Sequence, residues 1–202
     1  MVMVTRPQPS VWNVPNQLTL ARFLLALVLF WLIASRWWGW CLVVFLVAAF
    51  TDWLDGYLAR LHNLTSTLGR NLDPLVDKLL MCGCYIFLLP LGTEERWLMP
   101  WMVTVVVGRE MVITSLRSYM ESAGGRFGAD WLGKLKMGLQ CAAVTAVFLE
   151  LISRSAWPES LAFMRDWLPW LRDTALYAMI ASTLLSGLQY LWRAATLYRE
   201  TP

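Results

Sequence analysis

Long apolar runs separated by short polar connections set the pattern of this chain. Leu18 to Ala34 is the first run, and a tight tryptophan-rich turn, Ser35-Arg36-Trp37-Trp38-Gly39-Trp40, leads into a second from about Trp40 to Leu61. His62 to Gly69 connects to a third, Asn71 to Leu89, and Pro90 to Arg96 returns the chain to a fourth, about Trp97 to Ser122. A glycine-rich loop, Ala123 to Asp130, precedes a fifth run from Trp131 to Ile152, and the sixth covers Thr174 to Tyr198. These runs approach or pass the roughly 20 residues that an α-helix needs to cross a bilayer. The pattern predicts an all-α integral membrane protein, one domain over 1–202, with an interfacial segment over 1–15. Six transmembrane helices are expected over about 17–35, 40–61, 71–90, 97–121, 131–153 and 173–198. Ser153 to Asp173, with Trp157, Trp167 and Trp170, reads as a connection holding a short separate interfacial helix. Asn16 or Thr19 is expected to cap the first span.

Composition agrees. The chain is 58% apolar and 15% charged, with 13 tryptophans, whereas a soluble domain carries about 25% charged residues. Cys41, Cys82, Cys84 and Cys141 lie in apolar runs without zinc-type spacing and read as core side chains. The first residues hold Arg6 and several prolines but no signal-peptide core, so the segment is expected to be retained. Six spans put both termini on one side with the second-to-third and fourth-to-fifth connections. That side collects Arg6, Arg22, Arg60, Arg70, Lys78, Arg109, Arg117, Arg126, Lys134, Lys136, Arg193 and Arg199, against Arg36, Arg96, Arg154, Arg165 and Arg172 on the other. The positive-inside rule places the more basic side, with both termini, in the cytoplasm of a multi-pass protein of the inner (plasma) membrane. No feature calls for a nucleic-acid partner.

One stretch breaks the apolar pattern. Asp52-Trp-Leu-Asp55-Gly56-Tyr-Leu-Ala59-Arg60 is followed by Gly69, Asp73 and Asp77, so four carboxylates and an arginine crowd into the region of one connection. Asp52 and Asp55 share a helix face with Gly56 and Ala59, and Asp73 and Asp77 share another. Bare, such a cluster is strongly unfavourable in an apolar setting, and divalent cations resolve it. Oxygen donors without nearby His or Cys suit Mg²⁺ or Mn²⁺. Gly56 and Ala59 leave room for a phosphate to approach the backbone, Arg60 offers a fork of donors, and Gly69 is expected to turn the chain into the third helix. A pyrophosphate fits this set. A polar pore lining, or a structural ion-pair cluster, is the plainer explanation of the same residues. His62, the only histidine, reads as a loop residue.

The spacing D-x2-D-G-x2-A-R-x8-G-x3-D-x3-D resembles the signature of the CDP-alcohol phosphotransferase family at all eight positions. Asn13 to Arg22, Gly108-Arg109-Glu110 with Arg117, Gly133-Lys134-Leu135-Lys136 and Ser186 to Tyr190 resemble the bacterial phosphatidylglycerophosphate synthase branch, from which Met137 departs, a threonine being usual there. The resemblance implies a six-helix homodimer in which two divalent metals hold a CDP-linked lipid, CDP-diacylglycerol, at the cytoplasmic surface among membrane lipids. It implies that Asp52, Asp55, Asp73 and Asp77 engage the metals and that Asp77 is also the general base. Gly56, Ala59, Arg60 and Gly69 would contact the cytidine diphosphate, and the acceptor would be sn-glycerol 3-phosphate, giving phosphatidylglycerophosphate and CMP.

A phosphorylated acceptor needs cations near the metals, and Arg109, Arg117, Lys134 and Lys136 lie on the expected side. Tyr190 and Arg193 are candidates to close the pocket from the last helix, as are Asn16, Thr19 and Arg22 from the first. Arg22 either snorkels to the headgroups or turns inward toward a polar site. Arg126 and Arg199 read as topological. Rival readings are a sister enzyme using inositol phosphate, serine or phosphatidylglycerol, and a divalent-cation transporter. The transporter predicts acids spread through the bilayer depth, whereas these cluster at one connection.

Overall fold

A computed structural model describes residues 14–62, 67–122, 131–156 and 162–200. Among them every element is helical: α1 Val14–Ala34, α2 Trp38–His62, α3 Thr67–Glu94, α4 Pro100–Ser122, α5 Trp131–Ala156 and α6 Ala162–Glu200. The protein is an all-α membrane protein. Gln17–Ala34, Pro74–Glu94 and Trp131–Ser155 are each long and apolar enough to cross a bilayer, and Trp38–Thr51 is a shorter apolar stretch.

α1 packs against both α2 and α3, α5 packs against α2, α3 and α6, and α4 bridges α3 and α6. The shared core includes Leu29, Phe45, Cys84, Leu88, Val106, Val144, Phe148 and Met179. Phe45 meets Phe148 edge to face at 6.0 Å. Cys41 and Cys84 are buried in this core as free thiols. The outer faces are apolar too: Leu24, Leu27, Trp31, Val43, Leu46 and Phe50 are all exposed. Such faces suit lipid, which leaves every backbone polar group to be satisfied inside its helix.

Several helix ends differ from the sequence expectation. α1 begins at Val14, so Asn16 and Thr19 sit inside its first turns and do not cap it. Pro15 permits this, because its missing N–H falls where no helical partner exists. α3 begins at Thr67, which puts Gly69 on its first turn, not in a bend before it, and Pro74 inside the helix. At its other end α3 runs through Pro90 to Glu94. The expected separate interfacial helix before residue 173 is the opening of α6, which continues through Pro169. Its first turns are anchored on α5: Arg165 donates to the Ser153 carbonyl at 3.0 Å, and Arg172 pairs with Glu150 at 3.2 Å. Trp167 and Trp170 remain exposed on the outer side of this segment.

The α1–α2 and α3–α4 connections share one device. Arg36 and Arg96 adopt left-handed conformations, with φ of 60° and 65°. Trp37 N–H bonds to Leu32 O at 3.0 Å and Trp97 N–H to Gly92 O at 2.9 Å, the six-to-one bond of a Schellman cap. Around the second cap an ion network closes this end of the bundle. Arg154 reaches Glu95 at 2.7 Å and also pairs with Glu150, Arg172 bonds Asp173 at 2.9 Å, and the Arg172 guanidinium lies 5.1 Å from the Trp97 ring.

Gly92 lies beneath this cap, where an added Cβ would come within 2.4 Å of Leu98 Cβ and 3.3 Å of its Cα. Gly92→Ala is therefore expected to destabilise by about 1–3 kcal/mol. Arg96→Gly, which removes the steric cost of the left-handed conformation, should leave stability unchanged or raise it by up to about 1 kcal/mol. Thermal unfolding of the two variants in one detergent checks both directions.

Candidate active site

Asp77 is the described member of the acidic motif. It stands on α3, and its Oδ1 accepts a hydrogen bond from Arg22 Nη1 of α1 at 2.7 Å. Arg22 is 1% exposed, so of the two orientations open to it, the structure shows the inward one. Thr19, one turn earlier on α1, is buried beside it in the helix register. Asp52, Asp55, Gly56, Ala59 and Arg60 fall on the closing turns of α2, and Gly69 and Asp73 on the opening turns of α3. Their side chains, and that of Asn16, lie outside what the structure describes.

The basic residues are gathered by α4, α5 and α6. Arg109 Nη2 donates to Ser186 Oγ of α6 at 3.0 Å, and its guanidinium lies 5.7 Å from the centre of the Tyr190 ring. Arg117, two turns further along α4, donates to the Tyr190 hydroxyl and stands 5.3 Å from the same ring. Tyr190 is buried and so holds two arginines with one side chain, its ring meeting both and its hydroxyl one. Gly187 eases the approach of Arg109, since a Cβ there would come 3.3 Å from Arg109 Cγ, a tight contact. Lys136 of α5 is buried and ion-paired with Glu110 of α4, which also lies 3.3 Å from Arg109.

Lys134, by contrast, is exposed, and among the described residues no hydrogen bond or ion pair draws it into this cluster. It is on the same helix as Lys136 but two positions away, so the helix turns it elsewhere. Arg193, one turn beyond Tyr190, is also exposed. Two residues that sequence reasoning did not single out belong to the cluster. Glu110 is the carboxylate that Lys136 and Arg109 share. Lys78, next to Asp77 on α3, reaches across to the Thr114 hydroxyl of α4. An acid directly after an arginine within an apolar run was the available signal for Glu110, and a lysine directly after the last motif acid was the one for Lys78.

Through Lys78, the helix that bears Asp77 therefore meets the helices that carry the basic cluster. The profile of the CDP-alcohol phosphatidyltransferase family matches residues 12–185. The chain belongs to that family. A relative from Bacillus subtilis (strain 168), named CDP-diacylglycerol–glycerol-3-phosphate 3-phosphatidyltransferase, is 34% identical over 195 residues, 89% of this chain and 94% of that protein. One of the same name from Blochmanniella floridana is 29% identical over 199 residues, 93% of this chain and 94% of the relative. A chloroplastic/mitochondrial form from Arabidopsis thaliana is 34% identical over 161 residues, 73% of this chain and 54% of the longer plant protein.

The protein is thus a transferase of phospholipid biosynthesis, and divalent metals serve this family in general. Among the described residues no group of three metal-ligating side chains occurs. Asp52, Asp55 and Asp73 stand outside that set; carboxylates such as theirs and that of Asp77 are donors of the type that suits a hard divalent ion.

The two anchors of the site should differ in their effect on stability. Arg22→Met removes the buried partner of Asp77 and is expected to cost roughly 1–3 kcal/mol. Tyr190→Phe keeps the ring beneath both guanidinium groups and loses one hydroxyl contact to an exposed arginine, so about 1 kcal/mol or less is expected. Thermal unfolding of both variants tests the ordering.

Proposed function

We propose that this chain transfers a phosphatidyl group from CDP-diacylglycerol to sn-glycerol 3-phosphate, giving phosphatidylglycerophosphate and CMP. The observation that carries this reading is the convergence of Arg109, Arg117 and Lys136 around Tyr190 and Glu110, facing the helix that bears Asp77. Two guanidinium groups on one phenol ring repel each other, and a doubly charged phosphate monoester relieves that repulsion. An acceptor such as serine, or phosphatidylglycerol, would not supply a phosphate monoester. The relatives' names point to the same acceptor.

Asp77 accepts the proton of the attacking acceptor hydroxyl. The hydroxyl oxygen forms a bond to the phosphorus that carries the diacylglycerol, the bond from that phosphorus to the CMP oxygen breaks, and CMP leaves with the electron pair. Arg22 fixes the orientation of the Asp77 carboxylate throughout. Gly56, Ala59, Arg60 and Gly69 hold the cytidine diphosphate, and Arg109, Arg117 and Lys136 hold the acceptor phosphate; the exposed Lys134 is left out of this role. Asp52, Asp55, Asp73 and Asp77 would hold two Mg²⁺ or Mn²⁺ ions, which when bound neutralise the pyrophosphate and stabilise the departing CMP.

We further read the protein as a homodimer of the inner membrane with six crossings, in which the site and both termini face the cytoplasm. The excess of Lys and Arg on the site side supports that orientation.

Assays of the purified protein with CDP-diacylglycerol and each acceptor in turn test the reaction. CMP release with sn-glycerol 3-phosphate is expected; release with serine and not with glycerol 3-phosphate would overturn the acceptor assignment. Asp77→Asn should lower turnover by a factor of about 10²–10⁴ in a protein that still folds. Chelation with EDTA should abolish CMP release, and Mg²⁺ or Mn²⁺ should restore it.

A further inference from the structure

We infer that Lys78 is a ligand of the acceptor phosphate and couples the acceptor site to the general base beside it. The inference rests on the reaction proposed above and adds a residue that the reading of the motif leaves out.

Asp77 and Lys78 are successive residues on α3, and one helical step turns them toward different neighbours. Asp77 meets Arg22 of α1, while the Lys78 ammonium meets Thr114 Oγ1 of α4. The Thr114 hydroxyl is itself tied to the Glu110 carbonyl at 2.5 Å, so its position is fixed from its own helix. Thr114 lies one turn from Glu110 and one turn from Arg117, which places the lysine against the face of α4 that carries the acceptor cluster. Lys78 feels the charges of Arg109 and Arg117, and Lys136 feels those of Arg109 and Lys78.

The charge balance of this cluster then points to an anion. Glu110 is shared by Lys136 and Arg109, and Tyr190 receives Arg117. Thr114 is the hydrogen-bond partner shown for Lys78, and this neutral hydroxyl orients a half-buried ammonium that Arg109 and Arg117 repel and the adjacent Asp77 attracts. Asp77 is also engaged by Arg22, so a further anion beside Lys78 is favourable in this apolar setting. The acceptor is a three-carbon molecule whose hydroxyl must reach Asp77, so its phosphate has to bind close by. A lysine adjacent in sequence to the base, turned toward the basic cluster, satisfies that geometry.

Lys78→Met, Lys78→Arg and Thr114→Val test the assignment in two measurements on the full-length protein in detergent. The first is the KM for sn-glycerol 3-phosphate beside the KM for CDP-diacylglycerol. The second is binding of sn-glycerol 3-phosphate and of inorganic phosphate by calorimetry, without the lipid substrate. Lys78→Met is expected to weaken acceptor binding and raise the acceptor KM by roughly ten- to a hundredfold, with the KM for CDP-diacylglycerol within about twofold. Lys78→Arg should recover most of the loss, and Thr114→Val should show a smaller loss in the same direction, which keeps the test valid if Lys78→Met fails to fold. An unchanged acceptor KM and unchanged phosphate binding would overturn the inference, as would a rise confined to CDP-diacylglycerol. If the wild type binds phosphate yet turns over another phosphorylated alcohol, the proposed acceptor falls while the calorimetric arm still judges Lys78. If the wild type binds no phosphate at all, the inference falls as well.

Discussion

The contact between Arg22 and Asp77 is the constraint on which the arrangement of the site depends. A guanidinium that is 1% exposed in an apolar bundle must have a counter-charge, since a lone buried cation costs far more than a helix–helix contact returns. That requirement fixes the rotation of α1 against α3. It also holds one carboxylate of the motif at a set place in the bundle, and the next residue on α3 then has to point toward α4. The direction of Lys78, and with it the approach of α3 to the basic helices, follows from a pair formed on another side of the same helix.

The basic helices are held together by a second principle, the sharing of one partner among several cations. Tyr190 serves two arginines and Glu110 serves an arginine and a lysine. Sharing keeps the positive groups near each other while leaving them short of full neutralisation. The phosphorylated acceptor proposed above would call for such a site, rigid enough to be specific and rich in cations that are not each tied to their own carboxylate. A small residue helps to keep it compact: a side chain at 187 would press on Arg109 where it meets α6.

Much of this was legible in the chain because the signals were local. Apolar runs marked the helices, and the spacing of the acids marked the family to which the chain belongs. What was not legible depended on neighbours. The chain was expected to turn back at Pro90 and to hold a separate connection before Thr174, yet α3 continues past Pro90 and α6 runs through Pro169, where surrounding helices and ion pairs hold the backbone. Arg22 could have faced outward or inward with the same sequence, and the contact with Asp77 across the α1–α3 interface goes with the inward choice. Lys78 disappeared into a count of positive charges by side, because that rule treats a lysine at a headgroup and a lysine in a pocket alike. Lys134 and Lys136 looked equivalent until the helix turned one out and the other toward Glu110.

The two ends of the bundle hold their charges in different ways. At the far end Glu95, Glu150 and Asp173 meet Arg154 and Arg172, with Trp97 stacked on the latter, so carboxylates and cations answer each other directly. That end stabilises the fold by closing the α3–α4 turn onto α5 and α6. Around Tyr190 the described side chains are Lys78, Arg109, Arg117 and Lys136 with the single carboxylate Glu110, and Asp77 is engaged by Arg22. Asp52, Asp55 and Asp73 belong to the same end by their place on α2 and α3, so acids and bases are both gathered there, on different helices. The arginines beside Tyr190 rest largely on an aromatic ring and on hydroxyls, partners that hold a cation without cancelling it.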